Sequence, residues 1–281
     1  MTTEAGLSSQ REFILSDSDF HKISETAYKY TGIVLGDHKR DMVYGRLSRR
    51  LRELGLSRFS DYCALITDPA HEEVSKFINA ITTNLTSFFR ENHHFDFLGA
   101  KVCAELAEHK RDRRIRAWSA GSSTGEEPYS IAMTLMGNMD LRQWDCKILA
   151  TDLDSKVLDK AQQGVYESER VEQLAPDLKK RWFLTDRNHP DIVRVKPALQ
   201  ELIRFKRLNL LETWPMKGPF DFIFCRNVMI YFNLETQRKL LDGFADMLAP
   251  NGYLFIGHSE SLHRVSDRFS PIGKTIYQKC R

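Results

Sequence analysis

Ile115-Arg116-Ala117-Trp118-Ser119-Ala120-Gly121-Ser122-Ser123-Thr124-Gly125-Glu126-Glu127-Pro128 is the stretch that decides the fold. A short apolar run between basic residues passes into a turn of small residues, and helical periodicity resumes at Pro128. Small residues let a backbone pass close to a ligand, and proline suits the first turn of a helix. The reading is strand, turn, helix, the opening unit of an α/β sheet. The two glycines stand four apart, so the turn is not the GxGxxG fingerprint of a dinucleotide site. Glu126 and Glu127 would repel a pyrophosphate at the helix N-terminus and suit a cationic or hydroxyl-rich ligand.

Toward the C-terminus, Lys147-Ile148-Leu149-Ala150-Thr151 predicts a second strand that delivers Asp152 at its carboxyl end, where such sheets place an acid on a ribose diol. Asp154 is the competing acid and is better placed to cap the next helix. A ribose acid without a phosphate anchor points to an adenosyl ligand such as S-adenosylmethionine (SAM). Further strands are expected at 202–208, 220–225, 253–257 and 275–279, with a helix at 234–248 between two of them. Alternating strands and helices mean a mainly parallel sheet covered on both faces. Arg226, Asn227 and Tyr231 leave the carboxyl end of the apolar run Phe220-Asp221-Phe222-Ile223-Phe224-Cys225, where these folds hold ligands. One stretch breaks the alternation: 37 residues separate Gly164 from Leu202 where a handful suffice. Short strands at 192–195 and 199–203 would make this a small folded subdomain with an extra contact surface.

Toward the N-terminus the pattern is helical throughout 17–81. Phe20, Ile23, Ala27 and Tyr30 recur at helical spacing before Gly32, Val43, Leu47, Leu51 and Leu54 form a second stripe, and Val74, Phe77, Ile78 and Ile81 a third beyond the Asp68-Pro69 break. Between Lys39 and Arg58 seven basic residues face only Asp41 and Glu53, so this segment calls for an acidic partner or is a solvated face.

Composition narrows the class. Net charge is only +3, which does not demand nucleic acid, and 42% hydrophobic residues contain no apolar run long enough to span a bilayer. Five scattered cysteines without a CxxC pair argue for a reducing compartment and against a disulfide framework or structural zinc. The N-terminal residues lack a signal-peptide pattern, so a cytoplasmic protein is expected. His93-His94 would point apart on a helix and lack a carboxylate at ligand spacing, so no metal is expected; His258 reads as a loop histidine, and Phe88-Phe89 as packing or an adenine platform.

Four blocks, in order, resemble the chemotaxis receptor methyltransferase family CheR: Thr82-Thr83-Asn84-Leu85-Thr86-Ser87-Phe88-Phe89-Arg90-Glu91, then Gly125-Glu126-Glu127-Pro128-Tyr129-Ser130, then Phe224-Cys225-Arg226-Asn227-Val228-Met229-Ile230-Tyr231, and Gly257-His258-Ser259-Glu260. The resemblance covers nearly the whole chain. It implies a Rossmann-like class I SAM-dependent methyltransferase sheet (113–281), an N-terminal all-helical domain (1–82), a cofactor-covering segment (83–112), and an inserted antiparallel β-subdomain (165–201). It further implies that Asn84, Thr86 and Arg90 lie over the cofactor, and that Ala120 and Gly121 form its turn. Glu127 and Asp152 match acidic contacts to SAM, Asn209 and Leu210 an adenine-side contact, and Arg226 and Asn227 the contacts after the strand. Arg90 and Tyr231 match residues implicated in catalysis.

The implied reaction is methyl transfer to glutamate carboxylates of a chemoreceptor's cytoplasmic domain, leaving S-adenosylhomocysteine, with no metal, nucleic acid or membrane insertion and a monomer as the expected state. In that reading Arg46, Arg49, Arg50 and Arg52 receive the acidic receptor helix, with Arg46, Arg49 and Arg50 on roughly one side. In this family the inserted region decides whether a tethering peptide at a receptor's C-terminus is docked; the compact turn Asn188-His189-Pro190-Asp191 points away from tethering.

Overall fold

The computed structural model describes residues 11–280; residues 1–10, part of the segment read above for a leader, lie outside it. The chain forms two compact units, one ending at Thr83 and one beginning at Asn84.

The first unit is helical: α1 (Asp17–Thr31), α2 (Arg40–Leu54), α3 (Phe59–Thr67) and α4 (Glu73–Ile81). Ser16 caps α1 by accepting from Asp19 N, and Gly32 ends it in the left-handed region at φ 70°. The expected stripes face inward, with Phe20, Ile23, Ala27, Val43, Leu47, Leu51, Val74, Phe77, Ile78 and Ile81 buried; Tyr30 and Leu54 are only partly so.

The second unit begins with α5 (His93–Phe97), which runs through a π-helical turn into α6 (Cys103–His109). There follow β1 (Arg114–Ala120), α7 (Glu126–Asn138), β2 (Asp145–Asp152), α8 (Ser155–Gln163), β3 (Val165–Glu167), α9 (Pro176–Trp182), β4 (Phe183–Thr185), β5 (Ile192–Val195) and α10 (Pro197–Gln200). β6 (Ile203–Arg207), β7 (Phe220–Cys225), α11 (Leu234–Met247), β8 (Leu248–Ile256), β9 (Phe269–Gly273) and β10 (Ile276–Lys279) complete it. The main sheet runs β6-β2-β1-β7-β8-β10-β9, parallel from β6 to β8, with β10 and β9 antiparallel at one edge.

The chain winds outward from β1 through β2 to β6, then returns to lay β7 on the other side of β1. Strand order therefore reverses at β1/β7, and the crevice beyond the carboxyl ends there is where open α/β sheets bind ligands. Alternate residues of β7 feed two cores. Phe222 and Phe224 join Ile115, Ala117 and Phe255 on one face, while Ile223 and Cys225 join Trp118, Leu254 and the α11 residues Leu241 and Phe244 on the other.

The insertion is a three-stranded antiparallel sheet, β3-β5-β4. Its third strand is Phe183–Thr185, not the expected 199–203. Pro197, with its fixed φ, instead opens the short helix α10, and the main-sheet strand begins only at Ile203.

Candidate active site

Four β-strand ends of the second unit build one edge. Beyond β1, Gly121 N and Ser122 N both donate to Thr151 O (2.8 and 2.9 Å), which bends the turn across β2. Gly125 takes φ +97° at the start of α7, and a Cβ there would stand 2.8 Å from Ala161 Cβ. Glycine is needed for both reasons. Ala120 is fully buried beneath the turn.

At the end of β2, Asp152 accepts from Ser123 N (2.8 Å) and Asp154 N (2.9 Å). Crowding by protein pushes its carboxyl up to about 6, against the pull of those N–H groups. Each oxygen keeps a lone pair for a hydroxyl of a diol. Asp154 caps α8 through Lys156 N and also accepts from Asn84 Nδ2 (2.9 Å). Beyond β6, Leu208 N donates to Asp152 O, and Asn209 closes its loop on Leu211 N and Glu212, with Leu210 half-buried behind.

Arg226, at the end of β7, has a side chain only 2% exposed and lies between two acids: Glu127 at 3.4 Å and Glu91 at 3.5 Å. Its Nη2 also donates to Arg90 O. Glu127 accepts from Ser119 Oγ (2.7 Å), and burial lifts it above the usual carboxylate range with Arg226 opposing the lift. Burial pushes Glu91 the same way, but His258 and Arg226 outweigh it and hold the group below its ordinary value. Asn227 follows in the left-handed region at φ 58°, and Tyr231 ends a half-buried 3-10 turn.

The segment 84–91 is laid along this edge. Ser123 Oγ donates to Asn84 O, Arg170 Nη1 to Thr86 O, and Ser130 Oγ accepts from Phe89 N. Phe88 is buried edge-on against Tyr166 and Phe183 of the inserted region, and Phe89 packs on Phe95, so neither ring is a free platform. Arg90 folds back to donate to Leu85 O (2.8 Å). Phe89 (φ 52°), Glu91 (φ 56°), Ser123 (φ 48°) and Asn227 (φ 58°) all adopt left-handed backbone here. Such strain gathers where a site over-determines its backbone.

The edge therefore joins Asn84, Thr86, Arg90, Ala120, Gly121, Glu127, Asp152, Asn209, Leu210, Arg226, Asn227 and Tyr231. Glu91, Ser119 and Glu260 also belong to this edge, with no role legible in the sequence. Glu260 is buried and accepts from Asn227 N, Val228 N, Ile230 N and Gly257 N. For Glu260 an acid in the turn after a strand was the signal available; Glu91 lies in the loop before α5 and had none. His93 and His94, at the start of α5, do not point apart: their rings lie 4.1 Å from each other because both Nε2 atoms reach Lys274 O in the turn between β9 and β10. Burial, with Arg226 adding to it, pushes His94 down to about 3, so it is neutral. Among the described residues no cluster suited to a metal ion occurs.

Among the described residues, four buried polar atoms at this edge have no hydrogen-bond partner: the donors Ser122 Oγ and Arg226 Nε, beside Glu91 Oε2 and His94 Nδ1. Buried donors of this kind are usually satisfied, so they call for an acceptor such as a ligand carboxylate. With Glu127 and Asp152 for an ammonium and a ribose diol, the donor set fits SAM.

The fold and this edge define a SAM-dependent methyltransferase. The chain belongs to the CheR methyltransferase family: residues 84–278 match the model "CheR methyltransferase, SAM binding domain" and residues 18–82 "CheR methyltransferase, all-alpha domain". It is similar to a chemotaxis protein methyltransferase of Klebsiella aerogenes, at 48% identity over 94% of this chain and 90% of that one. The counterpart of Escherichia coli K12 is 47% identical over 94% and 91%. Chemotaxis protein methyltransferase 2 of Pseudomonas aeruginosa is 44% identical over 98% of each.

The basic cluster of the first unit, expected to receive an acidic receptor helix, is largely engaged in contacts within that unit. Arg46 Nη1 donates to Ala80 O, Ile81 O and Thr82 O, capping the carbonyl end of α4. Arg50 forks onto buried Glu73 (2.8 and 2.7 Å) and reaches Glu53; Arg52 pairs with Glu12, Arg40 with Asp17, and Arg58 with Asp61. Arg46 and Arg50 are turned toward α4 because that helix supplies their acceptors. Arg49 is exposed and, among the described residues, makes no ion pair or hydrogen bond.

Proposed function

We propose that the chain transfers the methyl group of SAM to glutamate side chains in the cytoplasmic domain of methyl-accepting chemoreceptors, giving glutamyl methyl esters and S-adenosylhomocysteine as a step of sensory adaptation. The observation that carries the chemistry is the pair of acids Glu127 and Asp152, one following β1 and one ending β2, beside a turn that is not of the phosphate-binding kind. The names of the relatives support the receptor as acceptor.

SAM supplies an electrophilic methyl group on a sulfonium. Asp152 takes the ribose diol, Glu127 the cofactor's ammonium, and Asn209 with Leu210 the adenine side. Arg226 balances Glu127 and Glu91, while Asn84 and Thr86 belong to the covering segment. A glutamate with a pKa of about 4.3 is already ionised at neutral pH and needs no general base. The site's task is alignment and partial desolvation, which account for roughly 7–11 kcal/mol of barrier in well-oriented reactions. Arg90 orients the cofactor with a looser contact to the acceptor, because a tight pair would quench the nucleophile. Tyr231 positions the acceptor oxygen.

Incubation with labelled SAM and a receptor cytoplasmic domain should place label in a form released as methanol by base. Base-stable label would mean an N-methyl product and would overturn the proposal. Arg90→Ala and Tyr231→Phe should each lower turnover at saturating SAM by about tenfold or more; full turnover in both removes their assigned roles.

For the first unit, Arg49 is proposed as the principal receptor contact, with Arg52 available after exchanging Glu12. Arg49→Glu should raise the receptor KM several-fold at low ionic strength and little at about 1 M salt, where the Debye length is about 3 Å. A salt-independent KM in the parent would exclude this contact.

A further inference from the structure

We propose that the turn Gly257-His258-Ser259-Glu260 is a clamp that sets the register between the segment carrying Arg90 and the loop carrying Tyr231, with His258 and Glu260 as its positioning residues. The inference rests on the catalytic roles proposed above for Arg90 and Tyr231. Those two residues lie far apart in sequence, one before β1 and one after β7, and this turn touches both of their segments.

Glu260 grips the loop after β7. One carboxylate oxygen accepts from Asn227 N (3.0 Å) and from Gly257 N (2.5 Å), the other from Val228 N (3.0 Å) and Ile230 N (3.2 Å). The left-handed backbone of Asn227 turns successive N–H groups to one side, making an anion nest that Glu260 fills. A neutral side chain cannot satisfy four converging donors, since an amide places a donor of its own against one pair. Gly257 closes the approach: a Cβ there would stand 2.8 Å from Asn227 N.

His258 grips the other segment. Its Nδ1 lies 2.9 Å from Glu91 Oε1, and its backbone N reaches the same oxygen at 3.4 Å. Glu91 is ionised and only accepts, so Nδ1 carries the proton and donates. Glu91 directly follows Arg90, and Arg226 Nη2 donates to Arg90 O while facing Glu91 at 3.5 Å. The histidine side chain is 65% exposed, so its hydrogen bond to Glu91 is not needed to fill a core. Two loops distant in sequence thus meet on one four-residue turn, and the fixed distance between its two grips sets the spacing of the groups they carry.

The test compares kcat and KM of His258→Ala, His258→Asn and Glu260→Gln, using labelled SAM and a receptor cytoplasmic domain, beside Arg90→Ala and Tyr231→Phe as references. Misplacement of a reacting group by about 1 Å costs on the order of a hundredfold, so Glu260→Gln should lose about that in kcat and His258→Ala about tenfold, with acceptor KM moved less than threefold. His258→Asn, whose amide nitrogen stands near the Nδ1 position, should recover most of the loss. The clamp is overturned if the reference variants lose turnover while His258→Ala keeps it within twofold, or if the loss falls on KM alone. If Glu260→Gln fails to fold, the His258 pair decides. If Arg90→Ala and Tyr231→Phe keep full turnover, the catalytic assignment itself has failed, and the clamp falls with it by a result the other arms do not produce.

Discussion

Replacing Arg50 by alanine should lower the stability of the helical unit by about 3–5 kcal/mol, the usual cost of stranding a buried charge. Glu73 is fully buried, and its carboxylate is held by the two-pronged Arg50 guanidinium and by the Tyr62 hydroxyl at 3.1 Å. Without Arg50, one weak donor remains for an anion that no water reaches. All four tryptophans lie in the second unit, so far-UV circular dichroism reports the helices of both units while tryptophan fluorescence reports the second alone. The denaturation midpoint seen by dichroism should fall, with the fluorescence transition moved less. Adding Glu73→Gln to Arg50→Met should restore much of the loss, because a neutral amide still accepts from Tyr62. A loss below about 1 kcal/mol in Arg50→Ala would mean that the pair is an ordinary surface bridge.

Arg226→Met should be as costly in the second unit, about 3–5 kcal/mol at neutral pH, with a pH signature of its own. The guanidinium is enclosed between Glu127 and Glu91, whose side chains are 11% and 12% exposed. Burial already raises Glu127 above its unfolded value of 4.5. Between that value and its folded pKa the folded chain holds a proton the unfolded chain has released, so stability falls as pH rises through this window. Removing Arg226 lifts Glu127 further and widens the window upward. The deficit of Arg226→Met against the parent should be smallest near the unfolded pKa and grow toward neutral pH. Thermal unfolding across that range checks this, and a deficit independent of pH would exclude the charge argument. S-adenosylhomocysteine affinity, measured by calorimetry, should fall in parallel, since a protonated Glu127 no longer favours an ammonium.

Most strands of the parallel sheet were legible as apolar runs ended by a turn, whereas β6 alternates apolar and basic residues; the acids after β1 and at the end of β2 stood at predictable places. Asp154 was read as a cap and is one. What failed depended on distant partners. The arginines of α2 looked like a surface because nothing local shows that Glu73, on a helix 23 residues away and surrounded by Val74 and Phe77, turns inward to meet Arg50. Phe183–Thr185 is only three residues long and follows a basic helix, so its pairing with β5 left no pattern of its own. His93 and His94 converge because of a carbonyl 181 and 180 residues away. Glu260 carries no signal except its position after β8, and its role emerges only where four backbone donors meet.

The inserted sheet leaves and rejoins the main fold at nearly one point, where Val195 N donates to Gly164 O at 2.8 Å. Such a pinched stem makes the excursion a graftable module: its length and outer face can drift or be exchanged between homologues while β2 and β6 keep their pairing. Two anchors limit that freedom. Phe183 packs against Phe88, and Arg170 holds both Thr86 O and the buried Glu126. A chimera that swaps the module for another family member's must carry these two residues across, or the strip over the cofactor edge loses its outer support. The tip of this arm is therefore free to diversify while its root is held by Phe88, Thr86 and Glu126.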